Sequence, residues 1–578
     1  MIPDRRARIR WQPALMALLL AACRTGPFPG GWPYPEGPQP VTAARGMVVS
    51  TDELASQVGV DVLRAGGNAV DAAVAVQFAL AVVNPEAGNI GGGGFMVVRL
   101  ADGTAAALDF REKAPLAASR NMYLDAEGNA TDGSLVGHTA SGVPGSVAGM
   151  WAAHRRFGTR AWAELVEPAI RLADGFVVHE RLASSLDRGR IELLSRHPAS
   201  AAQFLPRSGE PPLLGDTFVQ SDLAATLRRV RDAGPDGFYR GRTADLIVEE
   251  MRRGGGLITH ADLAAYEAAW REPISFRYRD HTILSMPPSS SGGATLAEMA
   301  LILERWDLGA LGWHSTESIH LYAEAWKRAY ADRNEVLADP DFVDMPLERM
   351  TSPDYAAERA STISMTAATP SSAVAPGLAS LPREGANTTH FSIVDEAGNA
   401  VVVTTTLNSL YGSGVTVTGA GFLLNNEMDD FSVRPGTPNQ FGLVQGERNA
   451  IEPGKRMLSA MTPTIVLAPD GSLRMLTGTP GGSTIITTVF QTISNVLDYG
   501  MDVVAAANAP RVHHQHLPDQ IYYERGGLDA RTVRELEALG HRMVERNGTS
   551  GDVQMILIEG GRLTGWSDPR RGGRAIGY

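Results

Sequence analysis

The stretch from Thr388 to Asn408 constrains this chain more than any other. Thr389 to Val394 alternates as a strand does, Asp395-Glu396-Ala397-Gly398-Asn399 supplies turn chemistry, and Ala400 to Leu407 is a β-branched run. Together they predict a hairpin. With the turn centred near Ala397, Thr388 falls opposite Thr406, so two hydroxyls can meet at the end of the ladder. Side chains alternate along a strand, so Asn408 shares the face of Thr406 and lies just beyond it. Taken alone, the pattern also fits an ordinary threonine-rich hairpin.

The N-terminal segment predicts export, and the overall charge argues against binding to nucleic acid. Arg5, Arg6, Arg8 and Arg10 form a positive n-region, and Ala14 to Ala22 is an apolar run too short to span a bilayer. Leu20-Ala21-Ala22-Cys23 resembles a bacterial lipobox, which predicts a signal peptide over 1–23 and lipidation of Cys23. A plain signal peptide cleaved nearby is the other reading, and both export the protein to the periplasm or a membrane surface. Residues 24–44 are rich in Pro and Gly and read as a tether. Cys23 is the single cysteine, which excludes a disulfide framework and a Cys-rich metal site. The formal net charge is −12, and no basic stripe is present to neutralise a run of phosphates.

Between these ends the organisation is legible in pieces. Ser50 with Glu53 reads as a capping box for a helix through Leu63, stopped by Gly66-Gly67. A second helix, Ala69 to Val83, is apolar on nearly every side and is expected to be buried all round. Asn89-Ile90 leads into Gly91 to Gly94, which no Lys-Ser/Thr follows, so the glycines predict close packing and not a phosphate loop. Thr362 to Asn387 is rich in Ser, Thr, Ala and Pro and reads as an exposed, poorly ordered loop. It ends abruptly at a strand, a natural place for a cut. Further on, Gly481-Gly482 forms a tight turn between the strand Arg474 to Thr477 and a helix from about Ser483 to Leu497. Its N–H groups suit an oxyanion, or simply a capped turn. His513, His514 and His516 lack a convergent carboxylate and read as structural or surface histidines.

Asn387-Thr388-Thr389-His390-Phe391-Ser392 resembles the gamma-glutamyltranspeptidases of the N-terminal nucleophile hydrolase superfamily. So do Gly66 to Ala73, Gly91 to Phe95, Phe110-Arg111-Glu112, Thr406-Leu407-Asn408, Asn425 to Phe431, Pro453 to Ser459, Pro480 to Ser483 and Asp568 to Gly573, all in family order. The resemblance implies an α+β fold, a four-layer αββα sandwich built by a large subunit, 45–387, and a small one, 388–578. It implies self-cleavage between Asn387 and Thr388, which frees Thr388 as an N-terminal nucleophile whose own amine takes the hydroxyl proton. By the same resemblance Thr406 orients Thr388, and Gly481 with Gly482 forms the oxyanion hole. Arg111 and Ser459 hold the donor's α-carboxylate, while Asp430, Glu427 and Asn408 hold its α-ammonium. The implied donors are glutathione and other γ-glutamyl compounds, the acceptors water, amino acids or peptides, with no cofactor or metal. A glutaryl or cephalosporin-type acylase is the nearest alternative, and an uncleaved, lipid-anchored binding protein a more distant one. Two positions depart from the family pattern. Ala460 stands where many members have a second serine, and Phe441 replaces a tyrosine in the expected lid, Pro438 to Gly442.

Overall fold

The computed structural model of the chain describes residues 28–34, 39–377, 388–435, 439–440 and 445–578. Cys23, Asn387, Pro438, Phe441 and Gly442 lie outside these residues. The expected hairpin forms from strands Thr389–Val394 and Ala400–Thr406, with Thr389 opposite Thr405. Continuing that register sets Thr388 opposite Thr406, as the turn position predicts.

The hairpin is the centre of a seven-stranded sheet. Its order is Arg574–Gly577, Met47–Ser50, Thr389–Val394, Ala400–Thr406, Gly93–Arg99, Ala105–Asp109 and Ala269–Arg271. A second seven-stranded sheet runs Val41–Ala43, Arg562–Ser567, Gln554–Glu559, Leu473–Thr477, Thr464–Leu467, His281–Ser285 and Ile274–Tyr278. Every neighbouring pair in both is antiparallel.

Alternation along the strands assigns the layers. Met96, Val98, Ile393, Val401 and Val403 face a core shared with the helices Glu53–Arg64 and Ala69–Val83. Phe95, Val97, Val394 and Val402 point the other way, into a core with Ile283, Ile465, Met475 and Ile556 of the second sheet. That core extends to the helices Gly292–Leu303, Thr316–Val336 and Thr484–Leu497. The result is the expected α+β sandwich, helix, sheet, sheet, helix, with strands from both sides of Thr388 in each sheet.

Local chemistry explains most element ends. Ala69–Val83 is buried at every position and is capped by Asn68 in a reciprocal box with Asp71. The expected Ser50 cap is corrected: Ser50 ends a strand, and Asp52 accepts the N–H groups of Leu54 and Ala55 instead. The glycine run packs closely as expected, since a Cβ on Gly91 or Gly92 would lie 2.1 Å from the carbonyl oxygen of Leu423 or Thr406.

Two segments expected to be loose are docked. Within the tether, Trp32 is buried and its indole N–H donates to the Asn508 carbonyl at 3.0 Å. The rings of Trp32 and Tyr34 each lie 5.2 Å from the Arg570 guanidinium, and Val41–Ala43 joins the second sheet. In the Ser/Thr-rich stretch, most of the described part, 362–377, is exposed as expected, but three of its residues are tied down by the buried Arg328 and Glu324 and by Asp519. Arg328 donates to the Thr362 hydroxyl at 2.8 Å, Thr369 N–H to Glu324 at 2.9 Å, and Ser371 N–H to Asp519 at 2.7 Å. Those partners lie 34 to 148 residues away in sequence.

Candidate active site

Thr388, the residue just before the hairpin, is almost fully buried and lines a pocket. Thr406, Asn408 and Gly482 line that pocket beside it, and Arg111, Glu427, Asp430 and Ser459 line the remainder. Gly481 does not line it but precedes Gly482 in the same turn. Sequence reasoning missed the apolar wall of Leu458, Met461 and Ile485. These residues sit in ordinary core patterns that carry no chemical signature.

The hairpin end is rigidly framed. Asn408 has a φ of +75° and donates its backbone N–H to the Thr406 hydroxyl oxygen at 2.8 Å. Its side-chain amide donates to the Asn426 carbonyl at 2.9 Å. Asn89, in the glycine-rich block, donates to the Thr406 carbonyl at 2.9 Å and to the Thr405 hydroxyl at 3.1 Å. Across the pocket, Gly481 and Gly482 adopt φ of +142° and +58°, which L side chains rarely tolerate. They lead into Thr484–Leu497, whose positive end faces the turn.

Arg111, Glu427 and Asp430 form one network instead of three separate charges. The guanidinium is buried and meets Glu427 Oε2 at 2.6 Å, Asp430 Oδ2, and Glu112 Oε2 at 3.5 Å. Its Nε donates to the Met457 carbonyl at 3.3 Å. Burial opposes the charge on Arg111, but the three carboxylates outweigh it and raise its pKa. Burial pushes Glu427 and Asp430 above the ordinary carboxylate range and Glu112 up to about 8, with Arg111 pulling each of them down. A further cation beside these carboxyls would favour their ionised forms, as Arg111 does, so the site suits an incoming ammonium.

Ser459 is fixed by the loop Ser289–Ser291. Its N–H donates to the Ser289 carbonyl at 2.9 Å, and its carbonyl accepts from Ser291 N–H at 2.7 Å and the Ser291 hydroxyl at 2.6 Å. Ala460 follows it on the pocket wall. Two residues of the expected lid are described. Asn439 donates to Asp430 Oδ1 at 3.2 Å, and Gln440 accepts from the Ser409 hydroxyl at 2.7 Å while donating its N–H to Asp429 at 2.8 Å. The lid segment therefore has a polar attachment to the residue after Asn408.

The histidines lie elsewhere. His513, His514 and His516 are buried, with His513 bonded to Thr487 at 2.7 Å and Gln515 at 2.8 Å. His320, Glu324 and His541 cluster closely. There the two imidazoles bond each other at 2.7 Å, and Glu324 pairs with Arg328 at 2.7 Å and Lys327 at 3.2 Å. Two buried cations beside the trio make it a poor place for a further one.

Comparison with known proteins agrees with this geometry. The model of the family "Gamma-glutamyltranspeptidase" matches residues 55–578. A glutathione hydrolase proenzyme of Escherichia coli (strain K12) is 49% identical over 92% of this chain and 91% of its own length. The solved cephalosporin acylase of Bacillus halodurans superposes with a TM-score of 0.82 at 27% identity, covering 95% of this chain and 99% of that one. The gamma-glutamyltranspeptidase structure from Helicobacter pylori has a TM-score of 0.57 at 44% identity, covering 60% of this chain and 98% of that one. With its two-sheet sandwich, its threonine at the head of the central hairpin and a family match over most of its length, the chain belongs to the gamma-glutamyltranspeptidase family.

Proposed function

We propose that the chain is a proenzyme that cleaves itself between Asn387 and Thr388 to become a gamma-glutamyltransferase and glutathione hydrolase. The observation that carries this reading is the pocket that Thr388 shares with Gly482 and the Arg111–Glu427–Asp430 network. The free α-amine of Thr388, with an ordinary pKa near 8, takes the hydroxyl proton. Thr388 Oγ1 attacks the γ-carbonyl, the N–H groups at Gly481 and Gly482 receive the oxyanion, and the amine leaves. Water or an amino acid then resolves the γ-glutamyl ester. Arg111 and Ser459 receive the donor's α-carboxylate, which displaces part of the Arg111 pairing, while Asp430, Glu427 and Asn408 receive the α-ammonium.

The carboxyls of Glu427 and Asp430 beside Arg111 also favour this reading over a glutaryl acylase, because a glutaryl group has no ammonium to offer them. Side-by-side turnover of γ-glutamyl and glutaryl anilides tests this point; preference for the glutaryl substrate would overturn it. Denaturing gel electrophoresis tests the cut. The wild type should give fragments of about 360 and 191 residues, and Thr388→Ala a single chain.

Export and lipidation at Cys23 complete the proposal. Because Phe28 already packs on Trp313, with ring centroids 5.3 Å apart, at most about 17 Å of extended chain joins the anchor to the folded body. The enzyme would then lie against the membrane it is attached to. Cys23→Ala should move it into the soluble fraction; unchanged membrane recovery would refute the anchor.

A further inference from the structure

The turn that carries Gly481 and Gly482 is braced from behind by a residue some seventy positions further along the chain. Asp552 donates its backbone N–H to the Thr479 hydroxyl oxygen at 2.7 Å. That hydroxyl in turn donates to the Pro480 carbonyl at 2.8 Å. The contact is tight: Gly551 has a φ of +78°, and a Cβ there would stand 2.4 Å from the Thr479 hydroxyl oxygen. A Cβ on Gly481 would be 3.6 Å from Gly551.

Asp552 is anchored through its side chain to the other side of the proposed cut. Its carboxylate is fully buried, with Oδ2 3.3 Å from the Arg181 guanidinium and no hydrogen bond to Oδ1. Arg181 is held by Glu86 at 2.8 Å and by the Arg571 carbonyl at 3.1 Å. A buried ion pair of this kind is a weak source of stability but a specific geometric constraint. The turn needs such a constraint, because two successive glycines have no side chains with which to hold their N–H groups in place. An oxyanion hole works only when its donors are pre-oriented.

We infer that Arg181 and Asp552 are a positioning pair which, through Thr479, sets the oxyanion turn and makes its geometry depend on both subunits. The inference rests on the reading of Gly481 and Gly482 as oxyanion donors. Neither Asp552 nor Thr479 lines the donor pocket, so the effect should fall on kcat and not on donor KM.

The test is steady-state hydrolysis of a γ-glutamyl anilide by the purified, cleaved enzyme. Removing an oxyanion donor outright costs about 100- to 1,000-fold, so a displaced donor should cost about tenfold. Asp552→Asn and Thr479→Val should each lower kcat about tenfold with KM unchanged within about twofold. Thr479→Ser, which keeps the hydroxyl, should restore it. Arg181→Ala combined with Asp552→Asn should be no worse than Asp552→Asn alone. If Asp552→Asn accumulates as uncleaved chain, Thr479→Val against Thr479→Ser decides the matter. Unchanged kcat in Thr479→Val, even with a lowered melting temperature, overturns the positioning role. Gly481→Ala separates the two readings. If it lowers kcat while Thr479→Val does not, only the brace fails; if Gly481→Ala is itself without effect, the oxyanion assignment fails.

Discussion

Replacing Asp430 by Asn removes one negative charge from the network around Arg111 without emptying it. Glu427 remains 2.6 Å from the guanidinium and Glu112 at 3.5 Å, so Arg111 stays paired and the fold should survive. The amide oxygen introduced by Asp430→Asn can still accept from Arg111 or from Asn439, which in the wild type bonds Asp430 Oδ1 at 3.2 Å. What is lost is a charge-assisted partner for the donor's ammonium, about 1.5–3 kcal/mol. That corresponds to a roughly 10- to 150-fold fall in kcat/KM, mostly through KM. The assay compares γ-glutamyl and glutaryl anilides. The γ-glutamyl substrate should suffer the whole loss and the glutaryl substrate little of it, since only the first carries an ammonium. Equal losses for both would refute the reasoning, because Asp430 would then act by orienting Arg111 and not by binding the ammonium.

Other expectations follow from single contacts. Ala460→Ser returns a hydroxyl to the pocket wall beside Ser459 and should lower donor KM by up to about tenfold, measured by initial rates. Ser409→Ala cuts the 2.7 Å bond to Gln440 and should raise hydrolysis relative to transfer at a fixed dipeptide concentration, read by product chromatography. Burial pushes Asp429 up to about 6, against the donors Gln440 and Ser134 that pull it down. The folded state therefore holds a proton that the unfolded chain releases between about pH 4 and 6. This stabilising contribution is full below about pH 4 and lost as pH rises through about 6. Asp429→Asn should flatten the melting temperature over that interval, as followed by calorimetry.

Local pattern made much of this protein readable in advance. The Thr388–Thr406 pairing followed from a turn position and a period of two, and Ala69–Val83 followed from its composition. Both are governed by residues close in sequence. The chemistry of the pocket was legible for a different reason: Arg111, Asn408, Glu427, Asp430 and Ser459 sit in short blocks that resemble a known family. The Ser50 cap failed locally, since Asp52 two residues on takes that role; elsewhere a distant partner decided what the sequence did not show. The contacts of Thr362, Thr369 and Ser371 with Arg328, Glu324 and Asp519 were not legible, nor was the docking of the tether, because Trp32 meets Asn508 and Arg570 only in the fold.

The sequence by itself determined the central hairpin and the buried helix Ala69–Val83, because alternation and turn chemistry act over a few residues, while the layer order and the residues that meet in the pocket were legible through the resemblance to a known family. Only the tertiary structure decided that Arg111 is shared among three carboxylates, that Ser289–Ser291 grips Ser459, and that Asp552 braces the turn before Gly481. Those contacts join segments tens to hundreds of residues apart. They are chosen by packing and by the need to pair buried charges, neither of which leaves a periodic trace in the chain.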